Sequence, residues 1–383
     1  MKDLSAYLQA RRQSGLYRKR HIQEGKQGAT VVLDGKKCLA FCSNDYLGLS
    51  HHPDVIKAMQ QGANEYGAGS GAAHLINGHS AAHHALEEEL AEFVQRPRAL
   101  LFSSGYMANL GVMSALLARG DAVFEDRLNH ASLIDAGLLS GARLQRYHHN
   151  DVGDLEIKLK KSKSTNRLAA TDAVFSMDGD LASVKQLAEV CNQNNAWLMA
   201  DDAHGFGVLG DQGRGSLDQL GLGIDDVPVL MATLGKALGT FGAFVAGSDD
   251  LIETLINSAR SYVYTTASPP AVAEACRVSL KLVQQESWRR EKLKELIAAF
   301  RMGAKQLGLQ LLDSETAIQP IIVGDSEKAL KMSESLWQHD IYIPAIRPPT
   351  VPEGSARLRV SFNADHELSH VQQLLGTLEK IAE

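Results

Sequence analysis

Seven short apolar runs alternate with longer stretches, and nothing else in the chain constrains its fold as strongly. The runs fall at 98–103, 121–125, 143–148, 169–175, 196–201, 228–232 and 241–246. Most have the length and composition of a strand buried on both faces. The stretches at 82–95, 107–118, 131–140 and 184–194 carry helical spacing. Strand–helix alternation of this kind predicts an α/β fold, a mainly parallel seven-stranded sheet flanked by helices.

The flanks differ. Residues 3–13 have the spacing of an amphipathic helix, and 29–42 (ATVVLDGKKCLAFC) read as a hairpin turning at Asp34-Gly35. After residue 268 the alternation stops. Pro269-Pro270 opens a charged helical region running to about 307. IQPIIVG, a helix near 326–339, the strand-like RLRVSF and a last helix from about 365 follow. The expected division is an N-terminal arm at 1–42, a large α/β domain at 43–280 and a smaller C-terminal α+β domain at 281–383. A chain of 383 residues that is 44% hydrophobic can fill a core of that size.

Composition excludes several functions. The net charge of −6 argues against a polyanion partner such as nucleic acid. The basic run Arg11, Arg12, Arg18, Lys19, Arg20 is read as a solvated helix face and loop. Cys38, Cys42, Cys191 and Cys276 form neither a disulfide framework nor a metal set. No apolar run reaches membrane-spanning length, and the first residues, MKDLSAYLQARRQSG, hold no apolar signal core. The expectation is a soluble cytoplasmic protein with no membrane partner.

In a parallel α/β sheet, ligands bind at the carboxyl ends of the strands. After ALLFS comes Ser104-Gly105-Tyr106-Met107-Ala108-Asn109, a turn into a helix whose free N–H groups suit a phosphate, although an ordinary βα turn looks the same. After DAVFEDRLN comes His130, which alone reads as a structural histidine near a helix start. After AWLMA comes Asp201-Asp202-Ala203-His204-Gly205. Two carboxylates there can cap a helix, hold Mg²⁺, or pair with the protonated ring nitrogen of pyridoxal phosphate (PLP). After PVLMA comes Thr233-Leu234-Gly235-Lys236-Ala237-Leu238-Gly239. A lysine among glycines and apolar residues is poorly placed as a surface charge, and partial burial makes its amine nucleophilic.

Taken in order, S-G-Y-x-A-N, N-H-A-S, F-S-M-D-G-D, D-D-A-H-G and T-x-G-K-A-x-G resemble the α-oxoamine synthases, fold-type I PLP enzymes. Asn44-Asp45-Tyr46-Leu47-Gly48 upstream and Tyr264-Thr265-Thr266 with Pro269-Pro270 downstream extend the resemblance over nearly the whole chain. It implies that Lys236 carries PLP covalently and that Asp201 holds the ring-nitrogen proton. It also implies that His204 bonds the ring oxygen, that His130 stacks on the ring, and that Ser176 lies near the ring oxygen. Gly105, Tyr106 and Thr233 are implied to bind the phosphate. Thr266 matches a residue that reaches the phosphate of a second subunit, so a homodimer with a shared active site is expected. Arg359 matches the arginine that pairs with the amino acid's carboxylate, with Asn44 in the same region. Arg18 and Thr350 match substrate contacts. No metal is expected.

The stretches SNDYLGLSHHP, VFSMDGD, DDAHGFGVLG and AIRPPTVPEGSARLRVSF point to those family members that join L-alanine to a pimeloyl thioester for biotin synthesis. The thiol carrier is CoA or acyl-carrier protein. Sister enzymes using glycine or serine, such as 2-amino-3-ketobutyrate CoA ligase, 5-aminolevulinate synthase and serine palmitoyltransferase, share the cofactor residues. The same lysine and aspartate would also suit an aminotransferase, or a catalytically idle scaffold that merely binds PLP. Two departures stand out: Ala73-His74 where many relatives carry Ser and Arg, and Asp172 where they usually carry Glu.

Overall fold

A computed structural model describes residues 3–14 and 16–382, so Met1, Lys2 and Gly15 of the first stretch lie outside the described residues. The arm begins with a helix, Leu4–Gln13, capped by Asp3. Strands β1 (Gln23–Glu24), β2 (Thr30–Leu33) and β3 (Lys36–Ala40) follow. Asp34 and Gly35 both have positive φ, 50° and 77°, so the β2–β3 hairpin turns where the Asp-Gly pair predicts.

The seven apolar runs become β4 (Arg98–Phe102), β5 (Ala122–Asp126), β6 (Arg143–Tyr147), β7 (Arg167–Asp172), β8 (Trp197–Asp201), β9 (Val229–Thr233) and β10 (Ala243–Gly247). They form one sheet in the order β4-β10-β9-β8-β7-β5-β6. Strands β5 to β9 pair in parallel, and β10 is antiparallel to both neighbours.

Both faces are buried except at the edge strand β6, where Arg143 and Arg146 are exposed, and successive side chains of one strand serve opposite faces. In β4, Leu100 and Phe102 pack with Ala108, Val112, Leu133 and Leu255 from helices Gly105–Leu116, Ala131–Leu139 and Asp249–Ser258. Ala99 and Leu101 enter the opposite core with Leu86, Leu90, Leu155, Leu187 and Leu280. That second layer is built by helices Ala81–Phe93, Val152–Lys161, Val184–Gln193 and Pro270–Gln285. Truncating any fully buried leucine of these layers to alanine costs about 2–5 kcal/mol.

Downstream, the charged helical region is two helices, Pro270–Gln285 and Trp288–Gln306, broken at Glu286, whose ψ of 59° is not helical. The expected boundary at 280 falls inside the first of them. Strands β11 (Ile318–Gly324), β12 (Ile341–Tyr342), β13 (Ala345–Ile346) and β14 (Ala356–Ser361) follow, with helix Leu368–Ala382 last. β14 sits between β11 and β13, whereas β12 pairs in parallel with β3 of the arm. Among the described residues, no helix is long and apolar enough to cross a membrane.

Candidate active site

At the carboxyl ends of β7, β8 and β9 lies a cavity of about 150 Å³. It is lined by Gly105, Tyr106, His130, Ser132, Asp172, Ser176, Asp201, Ala203, His204, Met231, Thr233 and Lys236. Parallel pairing in register puts residues at the ends of neighbouring strands side by side, so Asp172 of β7 is the direct partner of Asp201 of β8. Lys236 follows β9 in a tight loop. Gly239 closes that loop at φ 63°, and a Cβ there would sit 2.2 Å from the Ser50 nitrogen. Only glycine satisfies both demands.

Asp201 is buried and held at both oxygens: Asn109 Nδ2 donates to Oδ2 at 2.9 Å and the Ala203 N–H to Oδ1 at 3.1 Å. Its neighbour Asp202 points to the other face, taking Ser216 N–H at 2.7 Å and Ser216 Oγ at 2.5 Å. The strand's alternation thus assigns one carboxylate to the cavity and the other to a turn. Asp172 accepts the His130 N–H at 2.6 Å. Burial, then the Asp201 charge, push its carboxyl well above the usual range. Burial lowers the pKa of the Lys236 amine, with Asp201 and Asp172 opposing that shift and Arg359 adding to it.

His130 caps helix Ala131–Leu139, and its Nδ1 lies 2.8 Å from Ser132 Oγ. Ser132 Oγ also accepts from Asn109 at 2.8 Å, which ties His130 to the amide that holds Asp201. His204 Nδ1 lies 2.6 Å from Tyr46 Oη, and burial, then Lys236, keep the imidazole neutral. Tyr46 Oη donates to Asn44 Oδ1 at 3.2 Å, and Arg359 Nη2 donates to the same oxygen at 3.2 Å. Arg359 also reaches the Ser176 carbonyl through Nε at 2.6 Å. A continuous polar chain therefore runs from His204 through Tyr46 and Asn44 to Arg359 on β14.

The residues fit PLP. Ser104 Oγ takes the Met107 N–H at 3.3 Å, leaving the N–H groups of Gly105 and Tyr106 at the helix start free to meet an anion. A Cβ on Gly105 would sit 2.8 Å from Thr233 Cγ2, so the backbone approaches there as no other residue allows. A buried strand-end carboxylate, two histidines whose pKa burial lowers and a desolvated amine complete a donor set suited to a phosphorylated pyridine aldehyde.

His130 and Ser176 also line a second, larger cavity of about 660 Å³, with Arg18, Arg127, Arg146, Asp178, Pro349 and Thr350 at its edges. The structure thus gathers Gly105, Tyr106, His130, Ser176, Asp201, His204, Thr233 and Lys236 around one cavity. It brings Asn44 and Arg359 next to that cavity and Arg18 and Thr350 around the adjoining one. Thr266 stands apart: it is exposed and forms an isolated bridge with Ala73. Sequence reasoning places Asn109 and Tyr46 inside motifs but gives them no role. It leaves Asp172 open and names neither Arg127 nor Arg146. Position is the signal that could find Asn109, which lies one helical turn beyond Gly105 and so faces the same strand ends.

The Aminotransferase class I and II family model matches residues 36–378. Solved structures of similar fold include a Sphingomonas wittichii serine palmitoyltransferase, TM-score 0.93 and 30% identical, covering 99% of this chain and 98% of that one. An 8-amino-7-oxononanoate synthase from Francisella tularensis gives TM-score 0.79 at 32% identity, covering 90% of this chain and 98% of that one. The chain belongs to the class I and II aminotransferase family, and within it to a group of close relatives that share one name. Among these, the 8-amino-7-oxononanoate synthase of Thioalkalivibrio sulfidiphilus is 61% identical over 99% of this chain and 97% of its own length. That of Nitrosococcus oceani is 61% identical over 98% of this chain and 99% of its own.

Proposed function

We propose that this chain condenses L-alanine with a pimeloyl thioester to give 8-amino-7-oxononanoate, carbon dioxide and the free thiol, in biotin synthesis, with PLP as cofactor. One observation carries the reading: a desolvated lysine amine and a strand-end carboxylate share a cavity that continues, past His130 and Ser176, into a larger one edged by Arg18 and Thr350. The first cavity suits the amino acid and cofactor, the second an acyl chain.

Bound PLP supplies an electron sink that makes the amino acid's Cα–H acidic. Lys236, which also anchors the cofactor, takes that proton and later returns one. Its lowered pKa favours that role as a base. Asp201 keeps the ring nitrogen protonated, steadied by Asn109 and the Ala203 N–H. His204, fixed by Tyr46, would lie towards the ring oxygen with Ser176 beside it, while His130 would cover the ring face. Gly105, Tyr106 and Thr233 take the phosphate. Arg359, with Asn44 beside it, pairs with the alanine carboxylate, since a guanidinium fork matches a carboxylate bidentately. Arg18 and Thr350 hold the acyl portion. A bond forms from alanine Cα to the thioester carbonyl carbon, the thiolate leaves, and the resulting β-keto acid releases carbon dioxide.

The active form is a cytoplasmic homodimer in which Thr266 of each subunit completes the partner's phosphate site. Thr266 is exposed near other exposed apolar residues, Leu75, Ile76 and Tyr264. The thiol carrier is CoA or acyl-carrier protein. The chain divides into an arm at 1–42, a large α/β unit at 43–280 and a C-terminal unit at 281–383, with the break between two helices at Glu286 close to the second boundary.

The test is a product assay by mass. Purified protein with PLP is given pimeloyl thioester and, in parallel, alanine, glycine or serine. Decarboxylated 8-amino-7-oxononanoate from alanine is expected. A condensation product from glycine or serine alone would assign a sister reaction. A keto acid formed without use of the thioester would mean an aminotransferase.

A further inference from the structure

Four histidines and a glutamate lie together outside the active site, where the segment 74–79 meets helix Ala81–Phe93. They are His74, His79, His83, His84 and Glu87. His83 is fully committed. Its Nδ1 accepts the Ser80 N–H at 3.1 Å, so its Nε2 carries the proton and donates to the Ser268 carbonyl at 2.8 Å. It closes the helix's capping box and has no lone pair to offer.

The remaining four are arranged differently. His79 Nδ1 and His74 Nδ1 are 3.0 Å apart, a hydrogen bond in which one ring donates. With His79 as donor, its Nε2 lone pair faces His84 Nδ1 at 3.5 Å and Glu87 Oε2 at 3.9 Å. His84 and Glu87 are three residues apart on one helix and so share a face. The three ligand atoms, His79 Nε2, His84 Nδ1 and Glu87 Oε2, fall within 4.8 Å of one another. Metal–ligand bonds of about 2.0–2.2 Å in tetrahedral geometry put ligand atoms about 3.3–3.5 Å apart, which small side-chain rotations reach from here. Glu87's other oxygen accepts the Leu101 N–H at 2.9 Å, which fixes the carboxylate, and His74 holds the far nitrogen of His79. Such outer partners are how proteins orient metal-binding histidines.

The group lines a cavity of about 250 Å³ with Leu75, Arg98 and Tyr262. His84 is exposed there, so an ion has a path in and room for water. We propose that His79, His84 and Glu87 form a binding site for a divalent transition-metal ion of the zinc type, with His74 as its positioning residue. Two imidazoles, one carboxylate and water select Zn²⁺, Co²⁺ or Ni²⁺ over Mg²⁺ and Ca²⁺, which prefer all-oxygen sites. The ion fastens the segment 74–79 to the helix after it. None of the three ligands lines the cavity that holds Lys236 and Asp201, and metal binding is read separately from the proposed reaction.

The experiment uses the PLP-loaded enzyme, stripped with a chelator and then titrated with Co²⁺ in the visible range and with Zn²⁺ by calorimetry. One ion per chain is expected, together with a cobalt ligand-field band and a Zn²⁺-dependent rise in melting temperature. His84→Ala removes an exposed side chain and spares the fold. It and Glu87→Gln should each weaken Zn²⁺ binding about 10–100-fold, and His74→Ala less. Mg²⁺ should give no thermal shift. His52→Ala, at a different helix start, should change nothing. Unchanged Zn²⁺ affinity in His84→Ala, or no saturable cobalt band in the unmodified enzyme, would overturn the assignment.

Discussion

The two adjoining cavities are built on opposite plans. The inner one is assembled from the ends of β7, β8 and β9, and its polar groups hold one another: Asn109 and Ala203 hold Asp201, Tyr46 holds His204, and the His130 N–H holds Asp172. The outer one is edged by segments far apart in sequence, with Arg18 from the arm and Pro349 and Thr350 from the last quarter of the chain. Arg18 and Thr350 are exposed, whereas Asp201 and His204 are buried. Rigid strand ends suit a cofactor whose chemistry demands fixed geometry, and loops suit an acyl chain that must enter and leave. Substitutions in the inner cavity should therefore strike rate or cofactor, and those in the outer one should change acyl binding.

The largest effect belongs to Lys236→Ala. It should abolish borohydride-fixed PLP and lower kcat by at least about 10²–10⁴-fold, the range for losing a positioned acid–base. Label retained on the variant, read by peptide mass, would place the anchor elsewhere. Arg359→Ala comes next. Losing a charge-assisted pair of about 1.5–3 kcal/mol should raise the KM for alanine about 10–150-fold while PLP affinity holds. Equal losses of both would mean that the β14 arginine serves the fold instead.

The loop after β6 yields a pH test. His149 bridges Asp126 and Asp180, each at 3.0 Å. Burial alone would lower its pKa, but the hydrogen bonds and charges of the two aspartates outweigh burial and raise it to about 9. A pKa raised on folding contributes stability that is fully present below the unfolded value of about 6.5 and is lost as pH rises through about 9. The melting temperature should therefore fall between pH 7 and 10 by several degrees, and His149→Gln should flatten that fall. An equally steep fall in the variant would remove His149 as its cause. The smallest effect is expected for Thr350→Ala. A neutral hydrogen bond of about 0.5–1.5 kcal/mol limits the rise in acyl-thioester KM to about tenfold, with the KM for alanine unchanged.

Legibility followed the same divide. All seven strands of the central sheet could be read from the sequence because most are short apolar runs buried on both faces, the edge strand β6 with its exposed Arg143 and Arg146 being the weakest, and the residues after four of the runs named most of the inner cavity. Asn109 escaped because its partner, Asp201, is far away in sequence, and a helix-interior asparagine gives no local sign of what it bonds. β1, β12 and β13 escaped because two residues carry no period. Asp172 could be located but not interpreted. Its effect arises only when β7 pairs in register with β8 and sets two carboxylates side by side. The break at Glu286 was hidden within a continuous helical pattern, since neither proline nor glycine marks it.

β12, near the end of the chain, lies in register beside β3, near its beginning, with Leu39 opposite Ile341. Further stitches join the Leu39 N–H to the Asp340 carbonyl and the Ser361 N–H to the Phe41 carbonyl. On the ribosome the hairpin emerges early and must wait, one edge bare, until almost the whole polypeptide has been made. Asn44 and Arg359 meet only when that seam closes, so a nascent or truncated chain could fold its central sheet and still lack the pair proposed to grip an amino acid.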